Sequence, residues 1–445
     1  MKFVSTRGSQ SVSLDEALMQ GIASDGGLFM PESLPVFAPD DFADCGTIQQ
    51  TAVKVLAPFF DGSSLHASLA EIVAETYSFP IPVRTLQEGE RRVAMLELFH
   101  GPTAAFKDVG AGFLAACLSR LSGGHQQPLT ILVATSGDTG GAVAAAFDGR
   151  PGIRVAVLFP EGRVSPRQEK QLTCWGKNVL SLAVKGAFDD CQRLVKEAFV
   201  DAALASTFRF SSANSINIGR LLPQSIYYVH ASLQHYRETG RRPSFVIPTG
   251  NLGNGLACIL ARDMGFPIGQ IVLAVNENRL IADYLAGAEW LPRTSLQTLA
   301  SAMDVGNPSN MERLRALHGD AADLQQRISA YAVSDEQISA EIKRNYAEFG
   351  IATCPHTATA TSAWRSLDAE RRATEDWVLV STAHAAKFET IVEPLIETSV
   401  EVPAALSAIL ARPSNAVSMN PNLAALAAAL KAGFQVDAAD TSGDK

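Results

Sequence analysis

The residues of this chain that could do chemistry gather in a few short stretches, and one of them frames a lysine: His100-Gly101-Pro102-Thr103-Ala104-Ala105-Phe106-Lys107-Asp108. Lys107 sits among small and apolar neighbours, with Gly101 and Pro102 bending the chain before it and Gly110, Ala111 and Gly112 after it. Burying such a stem disfavours the ammonium and lowers its pKa, which leaves an amine able to attack an aldehyde. On this stretch alone, a lysine snorkelling at the start of a helix over 109–121 is the better reading. A second stretch, Gly250-Asn251-Leu252-Gly253-Asn254-Gly255, closes a strand over 245–248 and opens a helix over 256–264. Glycines there let backbone N–H groups approach a phosphate, and the helix dipole favours its charge. The spacing is not that of a dinucleotide fingerprint, and no lysine follows as in a nucleoside-triphosphate loop; a tight turn without ligand fits it equally well.

Three further stretches carry polar groups. Thr135-Ser136-Gly137-Asp138-Thr139 puts more donors at a helix start than one cap needs, enough to bind a carboxylate, although Ser, Thr and Asp cap helices routinely. Ala213-Asn214-Ser215-Ile216-Asn217-Ile218-Gly219-Arg220 sets one cation beside amides and a hydroxyl, which suits bidentate capture of an oxyanion; a surface loop with a structural salt bridge is the competing reading. Met303-Asp304-Val305-Gly306-Asn307-Pro308-Ser309-Asn310 is a turn that either lines a site or caps a helix over 311–318. His100, His356 and His384 lie in Pro/Gly/Ala-rich turns without metal-ligand spacing, so hydrogen bonding or packing is expected of them and no metal site.

Such loops need elements to hold them together. Residues 1–90 read as a mixed, helical leader with helices over 13–20, 47–60 and 63–77, and Pro80 and Pro82 mark a boundary. From Val93 onward short apolar strands alternate with glycine-rich turns and helices, the texture of an α/β protein with largely parallel sheets. Strands are expected over 129–134, 154–158, 179–184, 245–248 and 378–380, with helices over 142–148 and 189–204. The strands over 129–134, 245–248 and 378–380 end in polar or glycine-rich loops, the last being Ser381-Thr382-Ala383-His384. Ligands of open α/β sheets sit beyond the carboxyl ends of strands, so one cleft is expected. The domains expected are 1–90, a Lys-bearing α/β domain over 91–230, a phosphate-loop α/β domain over 231–400, and 401–445 with helices over 404–411 and 421–432 and an acidic polar tail from Asp437.

Composition narrows the class. With 445 residues, 47% apolar and 19% charged, the chain is too long for one core and too apolar for disorder. No run approaches the roughly 18 apolar residues of a spanning helix, and the N-terminus lacks a secretory apolar core, so a cytoplasmic protein with no membrane partner is expected. The six cysteines are scattered, the closest pair, Cys174 and Cys191, lying 17 positions apart, which predicts free and mostly buried thiols. A net charge of −9 without a Lys/Arg cluster argues against nucleic acid, so any anionic ligand must be met locally.

In this order, the framed lysine, the phosphate loop and the strand-end loops resemble the threonine synthase family, pyridoxal-phosphate enzymes of the tryptophan-synthase β-subunit fold type (fold type II). The likeness runs from Ser24-Asp25-Gly26-Gly27-Leu28-Phe29 through Leu98–Asp108, Ala134–Gly140 and Asn214–Asn217 to Ala383-His384-Ala385-Ala386-Lys387-Phe388, and the long N-terminal region is similar to the bacterial and fungal type. It implies two open, largely parallel sheets with flanking helices and an extended N-terminal region. By position it implies a Schiff base on Lys107, a cofactor phosphate on Gly250, Asn251, Leu252, Gly253 and Asn254, Thr382 at the pyridine nitrogen, and Asp138 near the phenolic oxygen, where the family often has Asn. Substrate-carboxylate contacts fall on Thr135, Ser136 and Thr139, and substrate-phosphate contacts on Asn214, Ser215 and Arg220. Ala385 stands where Pro is common and Gly112 where the long form carries Arg. The implied reaction takes O-phospho-L-homoserine and water to L-threonine and phosphate, in a monomer or homodimer. The rivals are a serine/threonine dehydratase-like lyase and a non-catalytic metabolite-binding homologue.

Overall fold

The computed structural model describes residues 1–8, 10–123 and 127–435; the acidic tail expected from Asp437 lies outside the described residues. Among the described residues three sheets are formed. β1 (Phe3–Ser5), β2 (Ser11–Val12) and β3 (Phe29–Pro31) make a small antiparallel sheet in the order β2-β1-β3, within the leader. A six-stranded sheet has the order β12-β11-β10-β13-β5-β4, built from β4 (Val83–Gln87), β5 (Val93–Glu97), β10 (Pro243–Pro248), β11 (Ile271–Val275), β12 (Ile328–Ala332) and β13 (Asp376–Ser381). Only β4 is antiparallel in it. A five-stranded parallel sheet has the order β14-β8-β7-β6-β9, from β6 (Leu129–Ala134), β7 (Ile153–Pro160), β8 (Val179–Val184), β9 (Arg209–Ser212) and β14 (Val417–Met419).

The central strands β5, β6, β10, β11 and β13 are buried at every residue, and their near-continuous apolar runs are what a parallel sheet covered on both faces requires. The expected strands over 129–134 and 179–184 have the observed bounds. The helix expected over 189–204 is instead two, Phe188–Val200 and Ala202–Thr207, because Asp201 ends the first and caps the second with a bond from Leu204 N–H. β5, which leads to Lys107, pairs with β13, and β14 closes the edge of the sheet formed by 129–212.

All six cysteines are free and buried. Among the described residues no helix is long and apolar enough to cross a membrane.

Candidate active site

The neighbours β10, β13 and β5 lie side by side, so their carboxyl ends deliver the Gly250 loop, Thr382 and the Lys107 stretch along one edge. Backbone bonds lock the last two: Phe106 N–H donates to Thr382 O at 2.8 Å and His384 N–H to Ala104 O at 3.0 Å, with a bridge between Ala105 and Ala383. Ala104 takes a left-handed φ of 55°, a conformation costly for a residue with a Cβ, so the surrounding contacts must hold it.

Lys107 is the first residue of helix Lys107–Ser122. Its side chain is half-buried, and desolvation of the ammonium, helped by the charges of Lys387 and Arg220 and opposed by Asp138, lowers its pKa to about 8. Asp138 opens helix Asp138–Phe147 and is buried. It pairs with Lys387 Nζ at 2.7 Å and accepts from Gln168 Nε2 at 3.0 Å. Burial alone would raise its carboxyl, but Lys387, Lys107 and His356 outweigh that and hold it well below the usual carboxylate range. Lys387 has no exposed surface and also donates to Thr103 O at 2.9 Å.

Helix Gly253–Asp263 starts from Leu252, itself left-handed with φ 65° and without a side-chain cap. The backbone N–H groups of residues 250–255 donate to no acceptor among the described residues. Side chains in this loop are already engaged. Asn254 Oδ1 accepts from Tyr228 at 2.7 Å and Tyr227 at 3.1 Å, and Asn251 donates to Ser215 Oγ at 2.6 Å while accepting from Ser309 N–H at 2.6 Å. Any phosphate here would therefore be met by main-chain donors and a helix N-terminus. Gly250 is needed for a close approach, since a Cβ would lie 2.6 Å from Met303 Cα.

Thr135 is placed differently from a free donor. Its hydroxyl accepts from Gly137 and Gly140 N–H at 3.0 and 2.9 Å and donates to Gly137 O, so it builds the loop on which half-buried Ser136 and Thr139 stand. The surface-loop reading of 213–220 is also corrected. Arg220 is 2% exposed on helix Ile218–Thr239, donates to Ala213 O, and leaves its Nε without a partner among the described residues. It reaches the Lys107 helix because residue 110 is glycine: a Cβ there would lie 2.8 Å from Arg220 O and 3.0 Å from its Nε. Burial lowers the Arg220 guanidinium to about 10. A side chain at Gly112 would face Thr76 instead, on the other side of that helix.

Four buried polar atoms lack partners among the described residues and belong to these loops: Arg220 Nε, Asn214 Oδ1, Thr249 Oγ1 and His356 Nδ1. His356 accepts from Ala302 N–H through Nε2 at 3.0 Å, which assigns its proton to Nδ1, and burial lowers its pKa to about 4. His100 bonds Glu97 at 2.7 Å and His384 accepts from Ala386 N–H at 3.2 Å, the hydrogen-bonding roles expected of them. The orphaned donors of Arg220, Thr249 and His356, a row of free main-chain N–H groups and an amine of lowered pKa fit a phosphorylated aldehyde such as pyridoxal phosphate and a second oxyanion. The sequence reading passed over Gln168, Lys387 and Arg313, which bond to these loops, and left Asn310 open within the turn 303–310. Lys387 carried a signal, since Ala385, Ala386 and Phe388 frame it much as Lys107 is framed.

Comparison with known proteins agrees along most of the chain. Residues 76–383 match a family of pyridoxal-phosphate-dependent enzymes, residues 2–77 a threonine synthase N-terminal family, and residues 357–430 a threonine synthase C-terminal family. Threonine synthase of Escherichia coli K12 is 38% identical over 402 residues, covering 90% of this chain and 92% of that one. The crystal structure of the Escherichia coli threonine synthase superposes with a TM-score of 0.88 at 35% identity, covering 97% and 100% of the two chains. The pyridoxal-phosphate-bound threonine synthase of Brucella melitensis gives 0.88 at 33% identity, covering 98% and 100%.

Proposed function

The chain belongs to the threonine synthase family of pyridoxal-phosphate-dependent enzymes, and on that premise we propose that it converts O-phospho-L-homoserine and water to L-threonine and inorganic phosphate, with Lys107 as the catalytic amine. The bound cofactor supplies an electron sink that acidifies the substrate's Cα and Cβ protons. Main-chain donors of Gly250, Asn251, Leu252, Gly253 and Asn254 hold its phosphate at the helix N-terminus. Thr382 meets the pyridine nitrogen with a hydroxyl, which cannot keep that nitrogen protonated as a carboxylate would. Asp138, kept ionised by Lys387, would stand near the phenolic oxygen of the ring, where its carboxylate could only accept a hydrogen bond. Ser136 and Thr139 bind the substrate carboxylate from a loop that Thr135 shapes. Lys107 moves protons at Cα and Cβ: a pKa near 8 leaves a useful neutral fraction at physiological pH, while the ammonium remains able to give its proton back. Asn214, Ser215 and Arg220 bind the phosphate that departs from Cγ.

The observation carrying the choice of substrate is Arg220, a buried guanidinium with an unpaired Nε, packed against the first turn of the Lys107 helix. A hydroxyamino-acid dehydratase has no substrate phosphate to occupy such a group. Arg220→Ala should remove a charge-assisted contact worth roughly 1.5 to 3 kcal/mol and lower kcat/KM for O-phospho-L-homoserine about 10- to 150-fold, with the cofactor retained. Arg220→Lys should recover part of the loss. Steady-state kinetics with cofactor titration decide it: full activity, or loss of cofactor, in Arg220→Ala would refute the assignment.

A further inference from the structure

A second buried guanidinium stands behind the two loops assigned to phosphates. Arg313, on helix Met311–His318, has no exposed surface. Its donors reach Phe29 O at 3.0 and 3.1 Å, Ile216 O at 2.6 Å, Ser215 O at 3.3 Å and Asn310 Oδ1 at 2.7 Å. Every one of these acceptors is neutral, and the adjacent Glu312 is instead paired with Arg7 at 2.7 Å. A buried cation served only by carbonyls keeps most of its desolvation cost, and its pKa falls accordingly to about 9. A nearby anion relieves that cost.

The same corner is where the loops are joined. Asn251 donates to Ser215 Oγ at 2.6 Å, and Asn310 Nδ2 donates to Asn251 O at 3.0 Å and to Ser215 O at 3.4 Å. Ser215 O is thus held by both Asn310 and Arg313, and Ser309 N–H fixes Asn251 from the other side. The turn Met303–Asn310, ambiguous in sequence, therefore reaches these loops at both ends, Met303 packing on Gly250 and Ser309 and Asn310 bonding to Asn251. Through Phe29 O the guanidinium also ties the strand β3 of the leader to this frame.

We propose that Arg313, with Asn310, is a positioning residue that clamps the 213–217 loop to the 250–254 loop and lends both one buried positive charge, so that the substrate-phosphate and cofactor-phosphate subsites form a single unit. The proposal rests on the assignment of those loops made above. Its signature is that one substitution disturbs both subsites, whereas Arg220→Ala disturbs one.

The test uses the holoenzyme and inorganic phosphate. Phosphate affinity is measured as competitive inhibition against O-phospho-L-homoserine and by calorimetry, and cofactor release is followed during dialysis. Arg220→Ala should weaken phosphate about tenfold or more and leave cofactor release unchanged. Arg313→Gln should weaken phosphate and speed cofactor release, each about tenfold. Arg313→Lys keeps the charge but cannot span three carbonyls, so it should restore phosphate affinity to within a few-fold and still lose cofactor faster. Asn310→Ala, which leaves the charge in place, should loosen both a few-fold. A purely structural residue would lower the melting temperature without moving phosphate affinity. If Arg313→Gln does not fold, Arg313→Lys and Asn310→Ala decide the matter. Should those two bind phosphate and hold cofactor as the native protein does while Arg220→Ala loses phosphate affinity, the clamp is refuted and the site stands; should Arg220→Ala also keep its affinity, the site assignment itself falls and the clamp with it.

Discussion

Lys107 and Lys387 both act on Asp138, but only Lys387 is committed to it, through the 2.7 Å pair and a second bond to Thr103 O. Lys107 is left as the amine free to react. Borohydride reduction of the holoprotein should fix the cofactor on Lys107, and peptide mapping that found it on Lys387 or Lys177 would overturn the assignment. With the Lys107 pKa lowered from 10.5 to about 8, the neutral amine dominates above pH 8; recapture of cofactor by the cofactor-free protein should therefore accelerate up to about pH 8 and level off beyond it, and an inflection near 10.5 would contradict the burial argument. Lys387→Met leaves Asp138 buried without its ion-pair partner, with Gln168 still donating to it, and should destabilise the protein by about 3 to 5 kcal/mol, read in urea melts. Lys107 stands out in the sequence because turns and small residues frame it, but its chemical role is implied only by the likeness to the threonine synthase family. Arg313 does not stand out: between Glu312 and Arg315 it reads as one charge of a solvated helix face, and only tertiary packing buries it.

At the level of elements, the Lys107 helix carries two glycines with opposite surroundings. Gly110→Ala puts a Cβ 2.8 Å from a backbone oxygen of Arg220, so the two helices must part and the Arg220 guanidinium shift; KM for O-phospho-L-homoserine should rise several-fold while cofactor stays bound. Gly112→Ala meets only Thr76 Cα, at 4.0 Å, and should stabilise by about 0.5 to 1 kcal/mol, as alanine does within a helix. Thermal melts and kinetics on the pair check both signs. The strands ending in site loops were readable from apolar runs closed by glycine or hydroxyl residues. Helix Ile218–Thr239 was not, because its first turns look like a polar loop and Pro223 interrupts the pattern; the carbonyl of that proline instead accepts the buried Tyr77 hydroxyl at 2.6 Å. β4 and β14 escaped notice for a different reason: as short edge strands with exposed residues they bear no continuous apolar signal.

Across the whole molecule, Asp376 at the start of β13 fastens the six-stranded sheet, accepting from Arg241 at 2.7 Å, His235 at 2.8 Å and Arg92 N–H at 2.9 Å. Burial would raise its carboxyl, but these donors prevail and hold it at about 2, against 3.8 when free. The depressed pKa gives stability present above about pH 4 and lost as pH falls toward 2, on the order of 2 kcal/mol. Asp376→Asn should remove that part of the acid dependence, measurable as urea midpoints between pH 5 and 2. The position of β13 also fixes an order of events during synthesis. β5, at residues 93–97, can pair only with β4 until 376–381 have emerged, and the five-stranded sheet lacks its β14 edge until 417–419 follow. Neither large sheet can be completed on a ribosome still translating the middle of the message, so nascent chains must carry unpaired strand edges for most of their elongation.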